Sequence, residues 1–195
     1  MTQTIPPPQT TDSAGKQAAR EQSLAPANAA PAAIRLGMGD GGAIRPATPD
    51  DIPAIQALIN GFARQNRMLF RSRTELAEFI DEYFVYVVDG AVLGVCGLHP
   101  VAGGLAEVRG LAVSEDANGR GIGRHLVEAC VHRAKALGIA KVYTLTLVPG
   151  FFEKLGFYQV DKGTLHLKVW YECYRCPKFA NCDEIAMVRP LDLED

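Results

Sequence analysis

The sequence predicts an α+β domain in which a mixed, mostly antiparallel sheet lies between helices in a three-layer α/β/α arrangement. Three β-rich runs joined by tight turns predict an antiparallel meander, and a long amphipathic helix follows them. The strand after that helix crosses back over it, so it is expected to run parallel to the last meander strand. The meander and the helical crossover together predict this fold class.

The bulk properties predict one domain preceded by a tail. Residues 1–42 contain three consecutive prolines, many alanines and no aromatic residue, so they are predicted to be a disordered tail. The domain is expected to span residues 43–195. A net charge of −2 gives no sign of nucleic-acid binding, and no apolar run approaches the roughly 18 residues of a membrane span.

Five cysteines without a secretory signal predict reduced thiols or metal ligands, and the cytoplasm is the expected location. Cys173 and Cys176 have CxxC spacing and Cys182 follows, with His166 or Asp183 as a further candidate ligand. Structural zinc, reduced packing cysteines and redox chemistry stay open as interpretations. A second CxxC half is missing, so the prediction commits to no metal site.

The first elements follow from local signals. Residues 43–47 are predicted as a short strand. A threonine, a proline and two aspartates then form a strong helix start, and apolar residues at helical spacing extend this helix to about Gln65. A capping-box pattern at Ser72 and Glu75 predicts a second helix that ends near Glu82.

The meander strands are predicted at 83–88, 91–98 and 105–113, with Asp89-Gly90 as a strong hairpin signal. The amphipathic helix is expected to end at Gly138. The remaining predicted elements are a strand at 141–147, a short helix at 149–155 and a last strand at 185–189.

A glycine-spaced loop lies at the start of the amphipathic helix, where Gly119, Gly121 and Gly123 alternate with other residues. Glycine lets backbone N–H groups approach a ligand closely, and a helix N-terminus carries positive partial charge. The loop therefore suits a phosphate or pyrophosphate. Tight strand-to-helix turns also use glycine for structural reasons alone, so both interpretations stay open at this point.

From Ala43 onward the chain resembles the GNAT superfamily of acyl-CoA-dependent N-acetyltransferases. The segment from Asn118 to Gly123 is similar to the signature Gln/Arg-x-x-Gly-x-Gly/Ala, with Asn118 as a departure. Phe-Phe-Glu-Lys-Leu-Gly-Phe at 151–157 resembles the Phe-Tyr-Glu-Lys-Leu-Gly-Phe segment near the acetyl-CoA thiol. The resemblance implies the GNAT fold and acetyl-CoA as co-substrate. The cofactor contacts that it implies are Leu111, Ala112, Val113, Asn118, Gly119, Arg120, Gly121, Ile122, Gly123, Arg124 and Phe152.

A narrower resemblance is to the short, single-domain N-acetylglutamate synthases. It rests on segments 69–73, 107–113 and 143–146 and on the cysteine-rich stretch 168–184, although His166 stands one position earlier than in that group. The resemblance implies acetyl transfer to the α-amine of an amino acid, L-glutamate first, as the opening step of arginine biosynthesis. Glutamine, a protein amine or a small amine stay open as acceptors, as does a non-catalytic acyl-CoA- or arginine-sensing module.

The chemistry of amine acetylation assigns roles within the strand 105–113. A carboxylate near the amine can accept its proton, and Glu107 is the candidate base, with a salt-bridged strand residue as the alternative. Strand alternation predicts that Glu107, Arg109, Leu111 and Val113 share one face. The resemblance implies backbone pairing with the pantetheine arm, and the Leu111 N–H is the candidate oxyanion donor.

The acceptor and the leaving group are the remaining questions. A dicarboxylic amino acid requires cations, and the candidates are Arg71, Arg73, Arg109 and Lys168. Many family members use a tyrosine to protonate the thiolate where this chain has Phe152, so water, Tyr143 or an unprotonated departure stay open. Edge strands in this fold often pair between subunits, so a homodimer is compatible with the sequence.

Overall fold

The computed structural model describes residues 34–35, 41–101, 103–165 and 179–192, and these belong to one compact unit. Within them, eight strands form one sheet in the order β1-β2-β3-β4-β5-β6-β8-β7. The strands are β1 Ile34–Arg35, β2 Ala43–Pro46, β3 Tyr83–Val88, β4 Ala91–Val101, β5 Leu105–Val113, β6 Lys141–Thr146, β7 Tyr158–Gln159 and β8 Ile185–Pro190. The α-helices are α1 Ile52–Arg64, α2 Arg73–Glu78, α3 Ile122–Ala136 and α4 Pro149–Glu153.

The pairing pattern confirms the predicted mixed sheet. Neighbouring strands pair antiparallel except β5 and β6, which are parallel because α3 crosses between them. The strand β1 lies within the stretch 1–42, so the sheet includes two residues upstream of the expected domain start. The disorder expected for residues 1–33 stays a prediction.

The start of α1 depends on a polar network around Asp51. The Thr48 N–H and hydroxyl both donate to Asp51 Oδ2, at 2.8 and 2.9 Å. The Arg45 guanidinium donates to both carboxylate oxygens of Asp51, at 2.7 and 2.9 Å. This network ties β2 to the helix that follows it, and α1 ends at Arg64, one residue before the predicted end.

The second helix begins as predicted but ends early. The Ser72 hydroxyl accepts from the Glu75 N–H, and the Glu75 carboxylate accepts from the Ser72 N–H at 3.0 Å, which completes a capping box. The helix ends at Glu78 because Phe79 leaves helical dihedrals at φ −122°, and a 3-10 turn covers Ile80–Glu82. The prediction that α2 reaches Glu82 is therefore wrong by one turn.

The meander is confirmed. Asp89 and Gly90 have φ of 47° and 81°, which is the left-handed pair that a tight two-residue hairpin requires. The strand β4 continues to Val101, three residues beyond its predicted end, because it pairs with β5 as far as Leu105. Gly138, with φ of 69°, follows α3 as the helix-ending signal predicted.

The sheet has apolar clusters on both faces, so the three-layer arrangement is confirmed. On one face α3 packs its apolar stripe, including Leu126, Val127 and Cys130, against the sheet. On the opposite face α1 contributes Ile55 and Ile59 to a second cluster. None of the helices in the described part of the chain is long and apolar enough to cross a bilayer.

Candidate active-site cleft

A cleft opens in the middle of the sheet where its two parallel strands separate. The strands β5 and β6 pair at Leu105–Lys141, Ala106–Val142 and Glu107–Tyr143, and no pairing follows although β5 continues to Val113. The gap is part of a cleft of about 890 Å³ lined by residues from both strands and from the loops at their ends. A backbone edge without a neighbouring strand can pair with an extended ligand.

The glycine loop forms one end of this cleft. Gly119 and Gly121 have φ of 76° and 78°, a conformation that side chains disfavour, and Gly121 caps α3. A Cβ at Gly123 would lie 3.4 Å from the Phe151 ring, which is an ordinary contact distance, so the space at this position does not require glycine. The first backbone N–H groups of α3 have no acceptor within the helix and point out of its N-terminal end, where an anionic ligand could accept hydrogen bonds from them.

The strand β5 carries a bulge that changes which residues share a face. Arg109 pairs with Gly97 and Ala112 with Val95, so two residues of β5 oppose one residue of β4. Gly110 lies in that bulge with φ of 63°. The extra residue shifts the alternation of side chains by one position.

The consequence is a correction to the predicted alignment of side chains. Leu111 and Val113 pack against the α3-side cluster, the same face as Ala106 and Val108. Arg109 lies on the opposite face, with its guanidinium carbon 5.5 Å from the centre of the Phe79 ring. The prediction that Glu107, Arg109, Leu111 and Val113 share one face is therefore wrong, because the Gly110 bulge lies between the two pairs.

Two predicted arginines flank the start of α2, with Arg71 on the preceding loop and Arg73 as the first helical residue, and only Arg71 is in the described cleft lining. Arg71 lines the cleft and donates to Glu75 Oε1 at 3.2 Å. Arg73 is exposed and donates through Nε to Gln56 Oε1 at 3.3 Å. Arg73 and Arg120 are absent from the cleft lining in the described residues, so their binding roles stay predictions.

The family of the protein follows from sequence comparison. The profile of the acetyltransferase (GNAT) family matches residues 53–157, which contain the bulged strand, the glycine loop and α4. The chain belongs to the GNAT acetyltransferase family. The predictions of the GNAT fold, of an acetyl-CoA-dependent N-acetyltransferase and of acetyl-CoA as co-substrate are thereby confirmed.

Relatives within the GNAT family include proteins of similar length and longer ones. An uncharacterized N-acetyltransferase from Chlorobaculum tepidum is 39% identical over 76% of this chain and 96% of its own. An amino-acid acetyltransferase from Mycobacterium tuberculosis is 30% identical over 68% of this chain and 77% of its own. The N-acetylglutamate synthase of Neisseria gonorrhoeae, solved with coenzyme A and N-acetyl-glutamate, superposes with a TM-score of 0.71 at 29% identity. That match covers 77% of this chain but only 35% of the Neisseria protein.

Most of the cofactor residues that the GNAT resemblance implies line the cleft. They are Leu111, Ala112, Val113, Asn118, Gly119, Gly121, Ile122, Gly123, Arg124 and Phe152. Phe152 is buried and packs edge-on against Phe151 and Phe157. Tyr143 is buried on the other face of the sheet, in a cluster with Leu165, and is absent from the lining among the described residues. This position disfavours Tyr143 as the group that protonates the thiolate.

Arg109 is held by an acidic residue that the sequence analysis did not single out. Its Nη2 donates to Glu82 Oε2 at 3.0 Å, and the Arg109 side chain is almost fully buried. The same carboxylate lies 2.8 Å from His99 Nδ1. Glu82 therefore offsets the charge of Arg109, and an acceptor carboxylate would have to share that guanidinium. No local pattern in the sequence marks Glu82, because its partners are 17 and 27 residues away.

A second unpredicted group lines the cleft near the end of the described chain. Lys162 Nζ donates to the Cys182 carbonyl oxygen at 3.2 Å and lies 3.4 Å from Cys182 Sγ. Cys182 Sγ lies 3.8 Å from Glu184 Oε2. The described residues contain no cluster of three His, Cys, Asp or Glu side chains that could hold a metal. Lys168, Cys173 and Cys176 lie outside the described residues, so their predicted roles are not addressed.

Proposed function

We propose that the protein transfers the acetyl group of acetyl-CoA to the α-amine of an amino acid, with L-glutamate as the acceptor. This is N-acetylglutamate synthesis, the first step of arginine biosynthesis, and we expect it to take place in the cytoplasm. The observation that carries the proposal is that one continuous cleft is lined by the glycine loop, by Glu107 and by several cations.

The cofactor end of the cleft supports the acetyl-CoA half of the proposal. The loop 118–124 offers backbone N–H groups and the positive end of α3 to a pyrophosphate. On its β6 side, the β5 segment from Leu111 to Val113 pairs with no strand among the described residues, so it offers backbone groups to the amides of a pantetheine arm. Phe152 packs beside that edge and leaves an apolar wall near the reacting thioester.

The charge of the cleft supports an anionic acceptor. In the described residues that line it, six side chains are cationic and two are carboxylates, Glu107 and Glu184. The cations are Arg67, Arg71, Arg109, Arg124, Lys154 and Lys162. Arginine pairs carboxylates with two parallel hydrogen bonds. Arg71 is a better candidate than Arg109 for a side-chain carboxylate, because the side chain of its partner Glu75 is half-exposed, whereas Arg109 is buried against Glu82. Arg124 is an implied contact of the anionic cofactor, and Glu82 offsets Arg109. Arg67 and Arg71 are therefore the cations that favour an anionic acceptor over a cationic lysine.

The proposed mechanism is direct transfer within a ternary complex. Glu107 accepts a proton from the acceptor ammonium, directly or through water, because only a neutral amine has the lone pair for attack. The amine attacks the thioester carbon, and the Leu111 N–H stabilises the oxyanion of the tetrahedral intermediate. The intermediate collapses with departure of the CoA thiolate, and the extra proton on the former amine nitrogen passes through water to the thiolate, which leaves the neutral amide and the CoA thiol.

The names of the relatives support the acceptor class. The Mycobacterium tuberculosis relative is an amino-acid acetyltransferase, and the Neisseria gonorrhoeae structure contains N-acetyl-glutamate. Glutamine is the second candidate acceptor, because it differs from glutamate by one amide group. A protein amine, a small amine and a non-catalytic acyl-CoA- or arginine-sensing module are the remaining alternatives.

A thiol-release assay with acetyl-CoA tests the proposal across glutamate, glutamine, aspartate and a peptide amine. We expect turnover to be highest with glutamate. A preference for the peptide would indicate a protein amine as the acceptor. Binding of acetyl-CoA with no turnover of any free amino acid would refute the proposal of an amino-acid acceptor.

The base is tested by Glu107→Gln. Loss of the carboxylate is expected to lower kcat by about 10²–10⁴-fold at neutral pH, with partial recovery at high pH as the free amine deprotonates in solution. Glu78→Gln is the matched control, because Glu78 is exposed at the end of α2 and absent from the described lining of the cleft. An unchanged pH profile of kcat in Glu107→Gln would exclude the base role.

A further inference from the structure

The loop that carries Arg71 is fastened to α1 by an amide clamp. The Asn60 side chain accepts from the Arg71 N–H at 2.9 Å and donates to the Arg71 carbonyl oxygen at 3.1 Å. Gln56, one turn earlier on the same face of α1, donates to the same carbonyl oxygen at 3.1 Å. Both backbone groups of Arg71 are therefore bound by side chains of a neighbouring helix.

The clamp has one orientation only. If the oxygen and nitrogen of the Asn60 amide were exchanged, the NH2 group would face the Arg71 N–H and the oxygen would face the Arg71 carbonyl. Donor would then face donor and acceptor would face acceptor, so both hydrogen bonds would be lost. Gln56 is fixed in the same way, because its oxygen accepts from Arg73 Nε while its nitrogen donates to the Arg71 carbonyl. The two amides therefore define where Arg71 lies.

Other contacts hold the loop before the clamp, and Met68 packs against the cluster on the α1 side of the sheet. The start of the loop is bound by backbone hydrogen bonds from Asn66 and Arg67 to the last turn of α1. Further along, the side chains of Leu69 and Phe70 are 40% and 62% exposed, so they provide no full apolar anchor. The clamp on Arg71 lies directly after this exposed pair. It fixes the backbone of the last residue of this loop that lines the cleft.

We propose that Asn60 and Gln56 are positioning residues that set the Arg71 guanidinium for the side-chain carboxylate of the acceptor. This inference rests on the proposed function and adds to it the residues that determine preference for a dicarboxylic acceptor. Neither amide is in the described lining of the cleft, so they act through Arg71. The Arg71–Glu75 contact at 3.2 Å restrains the side chain, while the clamp restrains the backbone.

The inference is tested by steady-state kinetics of Asn60→Ala and Gln56→Ala with two acceptors. Glutamate has the side-chain carboxylate, and 2-aminobutyrate lacks it. We expect Asn60→Ala to raise the KM for glutamate roughly 5- to 30-fold, the effect of losing two hydrogen bonds from a positioned group. The KM for acetyl-CoA and the kinetics with 2-aminobutyrate should stay within about twofold of the wild type, a limit set by ordinary surface-mutation effects. Gln65→Ala, an exposed amide at the end of α1, is the matched control.

A double-mutant cycle separates positioning from general loosening of the fold. On an Arg71→Gln background, Asn60→Ala should cause no further rise in the KM for glutamate, because the group that it positions is gone. Equal rises in both backgrounds, or equal rises for both acceptors, would overturn the inference. An unchanged KM in Asn60→Ala and Gln56→Ala would overturn it as well. Those outcomes leave the proposed function intact, whereas a wild-type protein that acetylates no free amino acid removes the proposed function itself.

Discussion

The bulge at Gly110 makes a quantitative prediction for Gly110→Ala. A Cβ at this position would lie 3.5 Å from Tyr83 Cε1 and 3.7 Å from Ile59 Cδ1, which are ordinary contact distances. The cost therefore comes from the backbone, because φ of 63° is left-handed and costs an alanine about 1–2 kcal/mol. We expect the free energy of unfolding to fall by that amount.

Loss of the bulge would lower the free energy of unfolding by more than the strain of a left-handed alanine at position 110. A shift of register by one residue would turn Leu111 and Val113 away from the α3-side cluster, and burying each such side chain stabilises a protein by about 1.5–3 kcal/mol. The half-burial of both residues lowers this sum, but it still exceeds the strain of one alanine. Gly110→Ala should therefore keep the bulge and the wild-type KM for acetyl-CoA.

Urea unfolding and acetyl-CoA kinetics together check this prediction. Gly103→Ala is the matched control, because Gly103 has φ of 86° and no atom within 4 Å of an added Cβ. Both variants should lose about 1–2 kcal/mol and keep the KM for acetyl-CoA. Wild-type stability in Gly110→Ala would refute the strain argument. A large rise in its KM for acetyl-CoA, absent in Gly103→Ala, would show that the register had slipped.

Two further predictions concern ionisable groups. Asp51→Asn should lower the free energy of unfolding by about 1–3 kcal/mol at neutral pH, because the Arg45 guanidinium loses its carboxylate. Arg45 holds the pKa of Asp51 below its usual value despite burial, so this contribution is complete above the ordinary carboxyl pKa and is lost as pH falls through the lowered one. Urea unfolding should therefore show that the free energies of unfolding of the wild type and Asp51→Asn converge in acid. A difference in free energy that does not change with pH would contradict the linkage. Burial raises the pKa of Cys130 well above its usual value, so a thiol reagent should label the half-exposed Cys182 and leave Cys96 and Cys130 unmodified in the native protein. Peptide mass spectrometry checks this, and native labelling of Cys130 would contradict it.

The sequence alone predicted the elements whose signals are local. The Asp89-Gly90 hairpin, the cap at Ser72 and the helix end at Gly138 each depend on residues that are neighbours in the chain. The glycine loop is also a local signal, but the GNAT resemblance was needed to favour an anion site over a purely structural turn. Local signals did not predict the early end of α2 at Phe79, since no breaker residue stands there.

The composition of the candidate site was predictable in part. Most implied cofactor residues line the cleft because they are consecutive on β5 and on the loop that follows, so the fold moves them together. The acceptor residues come from separate elements. Arg71 lies on the α1–α2 loop and lines the cleft, whereas Arg73 two residues later does not. Arg71 precedes α2 and Arg73 is its first residue, so which side chain faces the cleft depends on how this helix start packs, which a sequence pattern does not specify.

The sequence by itself determined the order of strands and helices, the glycine loop and the family, because each is encoded by residues close together in the chain. Tertiary structure decided which face of β5 each side chain occupies. One inserted residue at Gly110 reverses the alternation after it, and only the pairing with β4 reveals that insertion. Tertiary structure also decided the partners of Arg109 and Arg71. Glu82 and Asn60 lie 27 and 11 residues away from them, and contacts over such separations form only when the chain has folded.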